Sequence, residues 1–215
     1  MDKQQVLLKL QECGIVAVVR GKDKEEAIRI TDACIQGGVT AIELTFTVPQ
    51  ADKVIAELCE KYKDNKDVLI GAGTVLDPET ARAAILAGAQ YIVSPSLNLE
   101  TLKLCNRYMV PMIPGIVTIR EALMALENGA DILKVFPADL FGPKIIKDIL
   151  GPIPYAKLMP TGGVNADNAA EWIHAGAVAV GAGGSLTAGA KTGDYAAITE
   201  TAKKFKANIL AARQK

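Results

Sequence analysis

The sequence predicts a (β/α)8 TIM barrel, one domain over residues 1–215 with a short extra helix in front of it. Three observations lead there. Short β-rich runs alternate with amphipathic helical stretches over the whole length, and no Pro/Ser/Gly-rich linker divides them. A glycine signature also recurs at a spacing that fits two strand–helix units.

Taken in order, the extra helix falls at 2–12, and the eight strands at 15–19, 41–46, 68–72, 91–94, 111–115, 132–136, 157–161 and 177–182. Helical stretches such as KEEAIRITDACIQ and ADKVIAELCEKY lie between them, with apolar residues at three-to-four spacing. The strands are apolar on both faces, as strands of a parallel sheet covered by helices must be. An open doubly wound sheet is the structural alternative; eight regular units and the extra helix favour closure.

The repeat reads QGGVTAIE, LAGAQYIV, ENGADILK and HAGAVAVG, anchored on Gly38, Gly88, Gly129 and Gly176. Each glycine suits a helix C-terminus in the left-handed conformation, three residues ahead of a strand. The anchors stand 50, 41 and 47 residues apart, so they mark strands 2, 4, 6 and 8. Five residues after each lie Glu43, Val93, Lys134 and Gly181. Alternate strands of such a barrel share one interior layer. Glu43 and Lys134 are therefore expected at one height inside the barrel, with Gly181 leaving free space beside them.

Composition excludes several functions. Lys+Arg and Asp+Glu balance at 24 each, which argues against a nucleic-acid or anionic-membrane surface. No 18-residue apolar run and no signal-peptide pattern is present. The four cysteines are scattered without a C-x-x-C pair, so a reduced, cytoplasmic protein is expected. The one histidine, His174, sits in the helical stretch AEWIHAG. A surface position is its simplest reading, and neither a Ser-His triad nor a multi-histidine metal site can be assembled. No metal and no cofactor is expected.

Lys134 lies in ADILKVFPA, near the C-terminal end of its strand, where barrel active sites lie. A lysine snorkelling from a strand end is the competing explanation. An apolar setting favours the neutral amine, which can attack a ketone and form an iminium. Glu43, in TAIELTFT, reads as a buried salt-bridge partner of Lys134 or as the carboxylate that moves protons during such chemistry; the two roles are compatible. The segments PTGGVNADN and GAGGSLTAG follow strands 7 and 8, where barrel loops commonly hold phosphate through bare backbone N–H groups. Thr161, Gly162, Gly163, Gly184 and Ser185 are the candidates there, although tight turns use the same residues. Thr74, after strand 3, offers a hydroxyl. Arg20, after strand 1, offers a planar fork for a carboxylate or phosphate, with a surface salt bridge as its equal alternative.

In order along the chain, VAVVRG, IELTF, GAGTV, IVSP, IPGI, KVFPA, PTGGV and GGS resemble the 2-keto-3-deoxy-6-phosphogluconate/4-hydroxy-2-oxoglutarate aldolase family. The resemblance covers nearly the whole chain, and the ordered set is specific. It implies a class I aldolase acting on a small keto acid, with Lys134 as Schiff-base nucleophile and Glu43 as acid/base. It further implies Thr74 at the pyruvyl part of the substrate, Gly162, Gly163 and Ser185 at the phosphate end, and a homotrimer. The products would be pyruvate with glyceraldehyde 3-phosphate or, from 4-hydroxy-2-oxoglutarate, with glyoxylate. One position departs from the pattern. Phosphogluconate-type members often read E-x-T-x-R on strand 2, where the arginine holds the substrate carboxylate. This chain has Thr47 there, and Arg20 is the candidate replacement, as in related phosphogalactonate aldolases. A phosphate-binding barrel isomerase or synthase, which would not need a lysine facing a glutamate, and a non-catalytic sugar-phosphate sensor, which would show no borohydride trapping with pyruvate, are the competing functions.

Overall fold

Strand and helix alternate as the sequence predicts in the computed structural model, which describes residues 1–214. Helix α1 (Lys3–Cys13) precedes the first strand, and Asp2 closes its start in a reciprocal capping box with Gln5. The strands are β1 (Ile15–Val19), β2 (Ala41–Thr45), β3 (Leu69–Gly73), β4 (Ile92–Val93), β5 (Met112–Ile113), β6 (Gly115–Ile116), β7 (Leu133–Val135), β8 (Leu158–Pro160) and β9 (Val180–Ala182). Helices α2 (Lys24–Gln36), α3 (Ala51–Lys61), α4 (Pro78–Leu86), α5 (Leu99–Arg107), α6 (Ile119–Glu127), α7 (Lys144–Leu150) and α8 (Ala169–His174) lie between strands. A short α9 (Gly184–Thr187) and the long α10 (Tyr195–Arg213) complete the described chain.

All strand pairings are parallel. They form one sheet in the order β5-β4-β3-β2-β1-β9 and a second in the order β6-β7-β8. The two sheets meet at two seams. At one the backbone runs from β5 through Pro114 into β6; at the other Thr161 bridges to Gly181. The barrel closes through these seams.

The first seam corrects the single fifth strand expected over 111–115. β5 pairs with β4 and β6 pairs with β7, and the break falls at Pro114, which has no N–H for a ladder. Its carbonyl still accepts from Lys134 N at 2.9 Å. Gly115 passes so close to the Pro95 carbonyl that any Cβ would overlap it. The last strand is also shorter than expected, 180–182 instead of 177–182.

Every residue of these strands is buried, as both-face apolar patterning requires. The four anchor glycines all adopt positive φ, between 88° and 113°. Arg213 at the end of α10 donates to the carbonyls of Glu12, Gln11 and Val178 at 3.0, 2.6 and 2.7 Å. That guanidinium ties the last helix to the N-terminal end of the barrel. His174 is exposed on α8. The four thiols are unpaired, and burial pushes those of Cys34 and Cys105 up to about 12.

Candidate active site

Lys134 occupies the middle of β7, in register with Gly115 on one side and Met159 on the other. Glu43 occupies the middle of β2, between Val18 and Gly71. From opposite parts of the barrel the two side chains meet: Lys134 Nζ lies 3.5 Å from Glu43 Oε1, with side-chain exposures of 6% and 1%. Small neighbours make room for them. A Cβ on Gly73 would overlap the Glu43 carboxylate, so glycine is required there for the glutamate to fit. Lys134 Nζ also sits 5.3 Å from the centroid of the Phe136 ring.

Lys134 forms part of the wall of a cavity of about 380 Å3 that opens at the C-terminal ends of the strands. Arg20, Thr74, Thr161, Gly162, Gly163, Gly184 and Ser185 line the same cavity. Val18, Pro95, Phe136, Val164, Asn165 and Gly183 complete it together with Gly181. A larger hollow, about 620 Å3, lies at the other end between α1, the end of α3 and the segments entering β3 and β4. Chemistry in this architecture belongs to the C-terminal face, and only the smaller cavity reaches the lysine.

Thr161 is buried, and its hydroxyl has no protein partner. The free space expected at Gly181 is taken by this threonine: a Cβ on Gly181 would collide with Thr161 Oγ1. The bridge between the two residues sets that close approach. Gly162 and Gly163 follow with φ of 101° and 69°, a left-handed pair that leaves the backbone bare along the cavity rim. Ser185 donates its hydroxyl to Val164 O at 2.5 Å, so it fastens α9 to the loop after β8. Arg20 stands beside Gly183 and takes part in none of the ion pairs among the described residues; Glu26, which lines a hollow together with it, lies 3.8 Å from Lys22 instead. The surface-salt-bridge alternative for Arg20 therefore has no partner here.

Thr74 is held at φ +56°, a left-handed conformation that is strained for a β-branched residue. The sequence signals the hydroxyl but not the strain. Thr47 is not brought to the cavity. It is exposed in the turn after β2, and its hydroxyl shares a 2.7 Å hydrogen bond with Thr45, which donates on to Val19 O. Pro95 and Phe136 line the cavity without a signal in the sequence, because an apolar wall residue looks like any core residue there. Among the described residues no cluster of His, Cys, Asp and Glu could hold a metal ion.

Comparison with known proteins identifies the fold and the family. The chain is 38% identical over 173 residues to the 2-dehydro-3-deoxy-6-phosphogalactonate aldolase of Escherichia coli K12, covering 80% of this chain and 83% of that protein. It is 36% identical over 194 residues to the 2-dehydro-3-deoxy-phosphogluconate aldolase of Treponema pallidum, covering 88% and 90%. A solved structure described as native KDPGal superimposes with a TM-score of 0.86 at 34% identity, over 94% of this chain and 96% of that one. A KDPG aldolase from Legionella pneumophila, captured with pyruvate as a covalent carbinolamine, superimposes at 0.81 with 31% identity, over 88% and 92%. Fold, site and relatives together place the protein among the aldolases, a class of lyases. Residues 6–201 match the model for KDPG and KHG aldolases, and the chain belongs to that family.

Proposed function

We propose that residues 1–215 act as one class I aldolase, reversibly cleaving a 2-keto-4-hydroxy acid to pyruvate and an aldehyde. Lys134 passes a proton to Glu43, the free amine adds to the ketone of the substrate, and loss of water leaves an iminium. That cation receives the electron pair released when the C3–C4 bond breaks, so no metal or other cofactor is needed. Glu43 takes and returns the protons of these steps. The observation that carries the reading is the buried Lys134–Glu43 pair, 3.5 Å apart beside the C-terminal cavity. Pyruvate with borohydride tests it, because reduction of the imine fixes the label to the protein. Peptide mapping is expected to find the label on Lys134. A label on another lysine, or none, overturns the mechanism.

The preferred substrate in this reading is a 2-keto-3-deoxy-6-phospho sugar acid, giving glyceraldehyde 3-phosphate. The glycine turn at Gly162-Gly163, the start of α9 at Gly183-Gly184 and Arg20, which has no ion-pair partner among the described residues, favour an anionic end group. 4-Hydroxy-2-oxoglutarate, which yields glyoxylate, lacks that phosphate. A second reading, the phosphogalactonate epimer, is kept because the 38% identical relative carries that name. Thr74 would contact the pyruvyl part in either reading, whereas Thr47 is exposed in the turn after β2 and does not line the cavity. A bulky residue at Gly163 should reduce kcat/KM for phosphorylated substrates by about a hundredfold, the worth of roughly two charge-assisted hydrogen bonds. Activity on 4-hydroxy-2-oxoglutarate should change far less. Equal losses on both substrates would show that the loop shapes the site without reading phosphate. We further propose that the enzyme is a homotrimer working in the cytoplasm.

A further inference from the structure

The aldolase reading leaves one buried polar side chain in the barrel interior without a role. Tyr91 stands just before β4 and is fully buried, yet its hydroxyl has no hydrogen-bond partner. Glu43 has one idle atom as well: Oε1 faces Lys134, whereas Oε2 is buried without a partner. Strand β3 brings these two groups together. Gly71 is in register with Glu43, and a Cβ on it would lie 2.5 Å from Tyr91 Cε1 and Cζ. Two residues further on, a Cβ on Gly73 would overlap the Glu43 carboxylate. Residues two apart on a strand share a face and stand about 7 Å apart. The phenol ring and the carboxylate are therefore seated one above the other on a strand face stripped of side chains. Burial, with the Glu43 carboxylate adding to it, pushes the Tyr91 phenol well above its ordinary range, so it stays a proton donor. The two groups make no direct hydrogen bond, and one water between them would satisfy both the donor and the acceptor.

We infer that Tyr91 is a positioning residue for Glu43. Its hydroxyl donates to Oε2 through one water and keeps Oε1 turned toward Lys134. The inference rests on the Schiff-base reading, and the experiment separates the two. In D2O the enzyme should exchange the methyl hydrogens of pyruvate for deuterium, followed by NMR; this needs the Lys134 iminium and a base but no aldehyde. Tyr91→Phe keeps the ring and removes only the hydroxyl. It should exchange about threefold to tenfold more slowly, the range a single net hydrogen bond commands, with half-saturation by pyruvate unchanged. In the Glu43→Gln background the same substitution should have no further effect, because the hydroxyl acts through the carboxylate. If the hydroxyl is idle, Tyr91→Phe will exchange at the wild-type rate and will be more stable, having lost an unpaired buried group; that result overturns the inference. Equal slowing by Tyr91→Phe with and without the Glu43 carboxylate overturns it too. A wild-type enzyme that exchanges no deuterium removes the Schiff-base reading itself, and this inference with it.

Discussion

A lysine and a glutamate 3.5 Å apart, with side chains 6% and 1% exposed, form a pair that water hardly reaches. Desolvation offsets most of the attraction in such a pair, so its presence is weak evidence of added stability and better evidence of chemistry. Glu43→Gln nearly preserves shape and removes proton transfer. Turnover should fall by about a hundredfold or more, the lower end for losing a general acid/base, with substrate binding kept. Lys134→Met should abolish cleavage and also leave the glutamate buried without its cation, a loss of about 3–5 kcal/mol. Lys134→Met combined with Glu43→Gln removes the orphaned charge, and denaturant titration should find the double variant more stable than Lys134→Met alone. If the two variants unfold together, the glutamate is not an uncompensated charge. Both residues were legible in the sequence because each follows a helix-ending glycine by five positions. Thr47 was not placed by that logic, since the chain has already left the strand at Thr45.

At the scale of elements, short capped helices deliver the strands to the barrel in register. Helix α6 is the best-anchored example. The Glu121 carboxylate accepts from Val117 N, Thr118 N and Thr118 Oγ1, each at 2.9 Å, while Thr118 Oγ1 accepts from Glu121 N. The Val117 and Thr118 donors hold the Glu121 carboxyl below the usual carboxylate range. A depressed acid stabilises the folded state fully above its unfolded value, about 4.3, and loses that contribution as pH falls through the folded value. Glu121→Ala should therefore be less stable by about 1 kcal/mol at neutral pH, the usual worth of a cap. The gap to the wild type should narrow as pH falls below about 4. Thermal denaturation across pH checks this, and a gap that widens in acid would contradict it. Caps of this kind are visible in the sequence as Asp77-Pro78 ahead of α4, since the partners lie within one turn. The break of the fifth strand was hidden, because Pro114 lies in an apolar run that reads as continuous.

At the scale of the whole molecule, the small side chains of the strands leave the interior to be filled by Val, Ile and Leu. The largest fully buried residues are Trp172, Tyr91 and Phe205. Apolar side chains remain outside as well: Leu76 on the loop after β3 is 54% exposed, and Leu140 on the loop after β7 is 72% exposed. Exposed groups of this size on the C-terminal rim are consistent with contact between chains. Light scattering should give a mass of three 22.7 kDa chains, and the unfolding temperature should rise with protein concentration. A mass of one chain at micromolar concentration, with a concentration-independent midpoint, would rule out the trimer.

Local signals were enough for the fold class, the order of strands and helices, and the two residues expected to do the chemistry. Strand periodicity, helix-ending glycines and caps act within a few residues, so a single chain displays them directly. The tertiary structure decided how distant positions share space. It put Thr161, not a void, against Gly181; it turned Ser185 onto Val164 O; it left Thr47 outside the cavity. It also seated the Tyr91 ring against Gly71 and the Glu43 carboxylate against Gly73. Each of these outcomes depends on side chains from different strands competing for one volume, and closure of the barrel is what brings those strands together.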